Sequence, residues 1–188
     1  MSRLRVLAAN PRLALGALLT LLLAAGAVIG SGADFTASSA NPANTFASGT
    51  LSIVNSKEGT AVLSASNLRP TGSAVGTVDI ENTGSLGGAF TLSRTAPVDS
   101  DSSNPMSAKL NLVVVDCGTF AGATAPTCGD GDDATKYNGT LAAMGTTALG
   151  TYNANVKHRY SFTVTLDGTA SNAYQGDSSS VQFDWSAS

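Results

Sequence analysis

The stretch Tyr160-Ser161-Phe162-Thr163-Val164-Thr165-Leu166 alternates strictly between a large apolar side chain and a small hydroxyl side chain. In an extended strand successive side chains point to opposite faces, so this pattern places one face in an apolar core and the other in solvent. Strands buried in parallel sheets are apolar on both faces. The stretch therefore predicts a strand of an antiparallel sheet.

The same period of two recurs through most of the chain after residue 33. Runs that are rich in turn-forming residues separate the alternating segments, at 67–72, 82–85, 129–132 and 167–168. Helix-forming residues are confined to a short stretch at 141–148, which Gly145 interrupts. We predict an all-β antiparallel β-sandwich of immunoglobulin-like or jelly-roll topology. The other alternating sets are Leu51/Ile53, Val78/Ile80, Phe90/Leu92, Leu110/Leu112/Val114 and Val181/Phe183/Trp185.

The first 33 residues have the composition of a secretory signal peptide. Arginines at positions 3, 5 and 12 precede an uncharged apolar run at 13–29, and the small residues Ser31 and Ala33 follow. This order predicts signal cleavage between Ala33 and Asp34 and a secreted, extracellular or cell-surface protein. The apolar run approaches the roughly 18 residues at which a spanning helix becomes plausible, so a retained membrane anchor is the alternative.

Cleavage would divide the chain into a signal peptide at 1–33, an extended N-terminal arm at 34–44 that contains Pro42, and a β-sandwich domain at 45–188. The 155 residues that remain are enough for one domain with its own core. They carry 7 basic and 13 acidic residues, a formal net charge near −6. A mildly acidic chain without a Lys/Arg cluster argues against nucleic acid as a partner. Charged residues make up only 12% of the chain, so copies of it repel one another weakly.

Cys117 and Cys128 are the two cysteines of the chain, and they flank a stretch that contains Gly, Thr and Pro. A pair at short separation in an exported protein predicts a disulfide that closes a surface loop, worth about 3 kcal/mol in the chain-entropy model. A redox-active pair typically has the spacing Cys-x-x-Cys, which is not present. The pair is therefore predicted to be structural.

Candidate catalytic residues are sparse. His158 is the one histidine of the chain, and its neighbours Lys157 and Arg159 predict a solvent-facing position on a strand. A zinc hydrolase needs several ligands, usually including two histidines on one helix face. We therefore predict no catalytic residues.

The densest group of carboxylates is formed by Asp130, Asp132 and Asp133. Calcium prefers oxygen ligands of this kind, although the spacing does not match the twelve-residue loop of an EF-hand. These residues are weak candidates for a calcium site, and a solvated acidic turn is the alternative. No other cofactor is predicted.

Several blocks occur in a distinctive order along the chain. Ala33-Asp34-Phe35-Thr36 follows the apolar run, residues 44–51 come shortly after it, and a predicted turn lies at 82–86. The chain closes with the strand at 160–166, the segment 172–178 and Phe183-Asp184-Trp185. In their order and spacing these blocks resemble the TasA/camelysin family of exported bacterial proteins, which have SipW-type signal peptides.

The resemblance implies a jelly-roll domain, export through a dedicated signal peptidase and, in the TasA branch, assembly into extracellular biofilm fibres. In such fibres the mature N-terminal arm of one subunit adds as a strand to the next subunit. On this chain the donor strand would be the arm, which begins Asp34-Phe35-Thr36-Ala37-Ser38. Pro42 has no N–H group and would lie at the end of the paired stretch. From composition alone, the arm would be a spacer left by signal cleavage.

The expected function is that of a fibre or biofilm-matrix subunit, with copies of itself as head-to-tail partners and other matrix proteins as further partners. The alternative is a monomeric secreted or surface β-sandwich that acts as a binding or adhesion module. The camelysin branch is regarded as metallopeptidases. The single His158 and the absence of a metal motif from the sequence argue against that activity here.

Overall fold

The structure is a computed structural model that describes residues 11–30 and 48–188. The chain falls into two compact units, Met1–Phe46 and Ala47–Ser188. The predicted cleavage site between Ala33 and Asp34 and the predicted arm at 34–44 lie outside the described residues. The boundary at residues 46 and 47 falls near the predicted start of the sandwich domain.

The described part of the first unit is helix α1, Pro11–Gly30. Proline is favoured at the first helical position, where its missing N–H group would have no partner in any case. Leu15 and Leu21 are exposed, like the other described side chains of this helix. Within the side chains that the structure describes, which in α1 end at Leu21, no helix is long and apolar enough to cross a membrane.

The second unit is an antiparallel β-sandwich, which confirms the predicted fold class. A five-stranded sheet in the order β1-β2-β8-β5-β6 packs against a three-stranded sheet in the order β10-β3-β7, and β4 pairs with β9. Short 3₁₀ turns lie at Met106–Ala108, Leu141–Ala143 and Asn172–Tyr174. The strands are β1 Ile53–Asn55, β2 Ser73–Asn82, β3 Gly88–Arg94, β4 Val98–Asp99, β5 Leu110–Phe120, β6 Ala134–Thr140, β7 Thr147–Tyr152, β8 Lys157–Leu166, β9 Ser179–Ser180 and β10 Phe183–Ala187.

Strand β8 contains the alternating stretch 160–166 and lies at the centre of the larger sheet, between β2 and β5. Its apolar residues point inward, and Tyr160 and Phe162 are fully buried. The facing sheet contributes Phe90 and Leu92 from β3, which are also fully buried. The remaining buried core residues are Val78, Ile80, Leu112, Val114, Leu141, Met144, Leu149, Tyr152 and Val164.

Asn82 is a fully buried polar residue at the end of β2. Its side-chain amide donates to the carbonyl of Leu86 at 2.8 Å and to the carbonyls of Tyr152 and Asn153 at 3.3 Å. Its side-chain oxygen accepts from the backbone N–H of Gly84 at 3.0 Å. One side chain therefore ties the turn after β2 to the end of β7.

The two long sides of the sandwich differ in how they are closed. On the side formed by β6 and β7, the Lys136 ammonium donates to the Leu149 carbonyl across the gap at 2.8 Å. Strand β7 also carries a bulge at Gly150, where φ is +119°. Bulges and charged side chains are devices that keep strand edges from pairing with other chains.

On the other side, β1 is only three residues long and the chain then continues as an irregular segment at 57–68. This segment lies against the inner face of β2. A Cβ atom on Gly76 would lie 2.7 Å from the Leu63 Cβ and closer still to the Val62 carbonyl oxygen. Only a glycine at position 76 therefore allows this close approach.

Candidate functional site

An open trench runs between the irregular segment 57–68 and the C-terminal segment 174–185. It has a volume of about 1380 Å³. Pockets for small molecules usually have roughly 300–1,000 Å³, so the trench has room for an extended peptide. Half-buried apolar side chains lie along it, among them Val62, Leu63, Leu110, Val181, Phe183 and Trp185.

Strand β10 forms one wall of the trench, and no strand among the described residues pairs with its outer edge. Ser188 and Ala89 exchange two backbone hydrogen bonds of 2.8 and 3.0 Å, and the Gln182 carbonyl accepts from the Thr95 N–H at 2.9 Å. In an antiparallel pair, every second residue of a strand directs its backbone N–H and C=O groups to the partner strand. The even-numbered residues of β10 therefore bond to β3, and residues 183, 185 and 187 point these groups away from it. Within residues 48–188 no backbone partner faces these groups.

Trp185 lies on β10 and packs against the core, as its alternation with Val181 and Phe183 predicts. Its ring centroid lies 5.2 Å from that of Tyr160 and 6.2 Å from that of Phe162. The indole Nε1 is shielded from solvent and has no hydrogen-bond acceptor among the described residues. A buried donor without a partner costs free energy. The trench wall therefore contains an unsatisfied polar atom beside an unpaired strand edge.

Tyr174 also lines the trench, and its side chain is partly buried. The ammonium of Lys109 lies 5.9 Å from the centre of its ring. Tyr174 is therefore a rim residue of the trench, whereas Trp185 lies in the trench wall and packs against the core.

The predicted disulfide between Cys117 and Cys128 is present, with Cα atoms 4.8 Å apart. Cys117 is buried near the end of β5, where the pairing of β5 with β8 shifts register between Asp116 and Thr119. The bond closes the loop between β5 and β6 and fixes the end of β5. The prediction of a structural disulfide is thus confirmed in its pairing.

The predicted solvent-facing position of His158 is wrong. Its side chain is only 15% exposed and stacks on Tyr152 at a centroid distance of 4.1 Å. Its Nδ1 lies 3.1 Å from both carboxylate oxygens of Asp116. Residue 158 lies on the same inward face of β8 as Tyr160. On the neighbouring strand β5, the register shift brings the Asp116 carboxylate next to the imidazole ring of His158. The histidine is therefore part of a closed polar cluster at one end of the core.

Asp116 is the acidic centre of this cluster, and its side chain is 7% exposed. Burial raises the pKa of the carboxyl. The hydrogen bond from His158, the N–H of Gly118 at 3.0 Å and the Lys136 ammonium at 3.4 Å lower the pKa by more, so it lies below the ordinary value of 3.8. The hydrogen bonds and the neighbouring charges therefore keep Asp116 ionised in the folded protein despite its burial.

Replacing Asp116 by asparagine is expected to lower the free energy of unfolding by about 1–3 kcal/mol near neutral pH. Because the folded pKa lies below the unfolded pKa, the ionised carboxylate stabilises the fold at higher pH. This contribution is lost as the pH falls through the folded pKa. Urea unfolding of both proteins between about pH 5 and about pH 2 should show the difference shrinking toward acid. An Asp130→Asn control should follow the wild type, and parallel curves for Asp116→Asn and wild type would contradict the expectation.

The three aspartates predicted as weak calcium ligands lie in the exposed turn before β6. Two of the side chains accept from nearby backbone N–H groups: Asp133 accepts from Gly129, and Asp130 accepts from Asp132 at 3.4 Å. In the part of the chain that the structure describes, no group of three or more acidic, histidine or cysteine side chains is placed to hold a metal ion.

Neither the comparison with protein-family models nor that with curated proteins found a match for this chain. Within the described residues, the trench combines free backbone groups with accessible apolar side chains. Sequence reasoning predicted the inward phase of Val181, Phe183 and Trp185 but not the open edge beside them. The irregular wall at 57–68 has no apolar periodicity that could have indicated it.

Proposed function

We propose that the protein is a secreted structural subunit of an extracellular fibre or biofilm matrix. Subunits assemble when the N-terminal arm of one adds as a strand to the next. The observation that carries the proposal is the unpaired edge of β10 beside the trench. Strand addition requires free backbone groups for affinity and pockets for alternate side chains, and this edge offers both.

The chemistry of the surface supports self-association. Charged residues make up 12% of the chain, so little electrostatic repulsion opposes contact between copies. The donor and acceptor surfaces differ, so the interface is head-to-tail. Such an interface continues into a filament unless its rotation closes into a ring.

The resemblance to the TasA/camelysin family points in the same direction. Under the proposal the chain is exported with its signal peptide, which is cleaved after Ala33 by a SipW-type signal peptidase, and the domain has jelly-roll topology. Its partners are copies of itself and other matrix proteins. The role is structural and requires no catalytic residue, metal or cofactor.

A pair of chains that differ only in the arm tests the proposal. One begins at Asp34 and the other at Thr45, and both end at Ser188. Light scattering and negative-stain microscopy should show filaments from the longer chain and monomers from the shorter one. If both chains stay monomeric over a range of pH and calcium concentration, the fibre proposal fails in favour of a monomeric binding module. Filaments from both chains would show that the arm is not the donor.

A further inference from the structure

We infer that the acceptor site is the trench-side edge of β10 and that Phe35 of a second copy is the side chain seated in the trench. This inference rests on the proposed function and assigns its interface to particular residues. The backbone groups of Phe183, Trp185 and Ala187 bond the incoming strand.

The arm is long enough to cover the acceptor strand. Strand β10 has five residues, Phe183–Ala187, and the arm offers seven, 34–40, before Asn41 and Pro42. At about 3.3 Å per residue the strand is roughly 17 Å long and the seven arm residues span roughly 23 Å. Proline therefore falls just beyond the paired stretch, where its missing N–H group costs no ladder bond.

Phe35 is the anchor because it is the one large apolar side chain in the segment 34–44. In an extended strand Phe35 and Ala37 share a face, and Thr36 and Ser38 share the other. The trench presents half-buried apolar side chains, among them Leu63 and Leu110. The Phe35 face therefore turns toward the trench, and the hydroxyl face turns toward solvent.

The donor belongs to a second copy for a geometric reason. Both the Leu51 side chain and the Ser188 carbonyl lie within 3.0 Å of the point where a Cβ on Gly88 would be, so the chain enters the domain beside the end of β10. Antiparallel addition of a chain's own arm would require residues 41–50 to turn back and run along the whole strand before the chain reaches Leu51. A second copy adds antiparallel freely, and every strand pair in this sandwich is antiparallel.

A peptide in trans tests the acceptor without requiring filaments. The chain that begins at Thr45 retains the compact unit Ala47–Ser188 and its core. Trp185 is the one tryptophan of the chain, and a peptide of residues 34–44 contains none, so indole fluorescence reports on the trench directly. Titration with this peptide should give a saturable change in Trp185 emission.

Two peptide variants form a matched pair that involves no question of folding. Phe35→Ala should weaken binding by about ten- to a hundredfold, as expected for the loss of a buried aromatic side chain. Thr36→Ala changes the adjacent residue on the opposite face and should alter binding by less than about threefold. Equal weakening by both variants would overturn the assignment of Phe35.

A second pair tests the acceptor wall. Val181→Lys places an ammonium group in the trench and should abolish peptide binding, whereas Ser186→Lys adds the same charge at an exposed position of β10 outside the trench lining and should preserve it. Thermal unfolding of both variants checks that the sandwich remains folded. If Val181→Lys unfolds, Ala187→Pro serves instead, because it removes an N–H group that points away from β3.

The outcomes separate this inference from the proposed function. Filaments without a peptide-induced change in Trp185 emission would overturn the β10 acceptor and leave the fibre standing. Peptide binding without filaments would support the acceptor and contradict the fibre. If the chain that begins at Asp34 stays monomeric with Trp185 emission like that of the peptide complex, its own arm occupies the trench, and the second-copy assignment is wrong.

Discussion

Replacing Asn82 by alanine is expected to lower the free energy of unfolding by about 3 kcal/mol. The amide of Asn82 is fully buried and bonds to three carbonyl groups and one N–H group. Alanine would leave those backbone groups without partners, and each buried unsatisfied group costs about 1–3 kcal/mol unless water reaches it. Urea denaturation at neutral pH would measure the loss.

Two comparisons locate the origin of that effect. Asn82→Asp keeps the acceptor for Gly84 and removes the donors to the three carbonyls, so it should be nearly as damaging as alanine. Asn138→Ala removes an exposed asparagine on the edge strand β6 and should change stability by less than about 0.5 kcal/mol. A loss below about 1 kcal/mol for Asn82→Ala would show that the turn after β2 does not depend on this side chain.

Replacing Gly76 by alanine is expected to destabilise the sandwich by about 2 kcal/mol and to open the trench wall. The new Cβ would lie 2.7 Å from the Leu63 Cβ and closer to the Val62 carbonyl oxygen, and backbone atoms yield less easily than the end of a flexible side chain. The segment 57–68 would have to move away from β2. Binding of the arm peptide should weaken with it, since this segment is one wall of the trench.

Gly145→Ala is the matched control for this substitution. Position 145 has a negative φ, and a Cβ there meets no atom within 4 Å, so alanine should be neutral or slightly stabilising. Thermal unfolding and peptide titration of both variants measure the two effects separately. Wild-type stability for Gly76→Ala would mean that the segment 57–68 does not pack against β2 in solution.

The central strands could be predicted because burial leaves a period of two in their sequence. Strands β2, β3, β5, β8 and β10 all pack one face on the core, and each shows the alternation. The sequence does not predict β7, because the bulge at Gly150 places two residues between Leu149 and Tyr152, and the alternation breaks there. It does not predict β6 either, since Ala134–Thr140 is polar and lies at an edge.

The site was harder to predict than the fold, because it depends on contacts between distant parts of the chain. The trench is the gap between the segments 57–68 and 174–185, and the first of these segments carries no periodic pattern. The burial of His158 likewise follows from the Asp116 carboxylate, 42 positions away. The prediction that His158 faces solvent followed the charges of Lys157 and Arg159 and not the alternation of the strand, which places position 158 on the same face as Tyr160.

The open edge of β10 gives the proposed fibre two unlike ends. One end displays a free arm, and the other displays an empty trench, so elongation is directional and the two ends grow at different rates. A chain that lacks residues 34–44 can accept the last arm but offers none of its own. Added in small amounts, it should cap the arm-bearing end and leave growth at the opposite end unaffected.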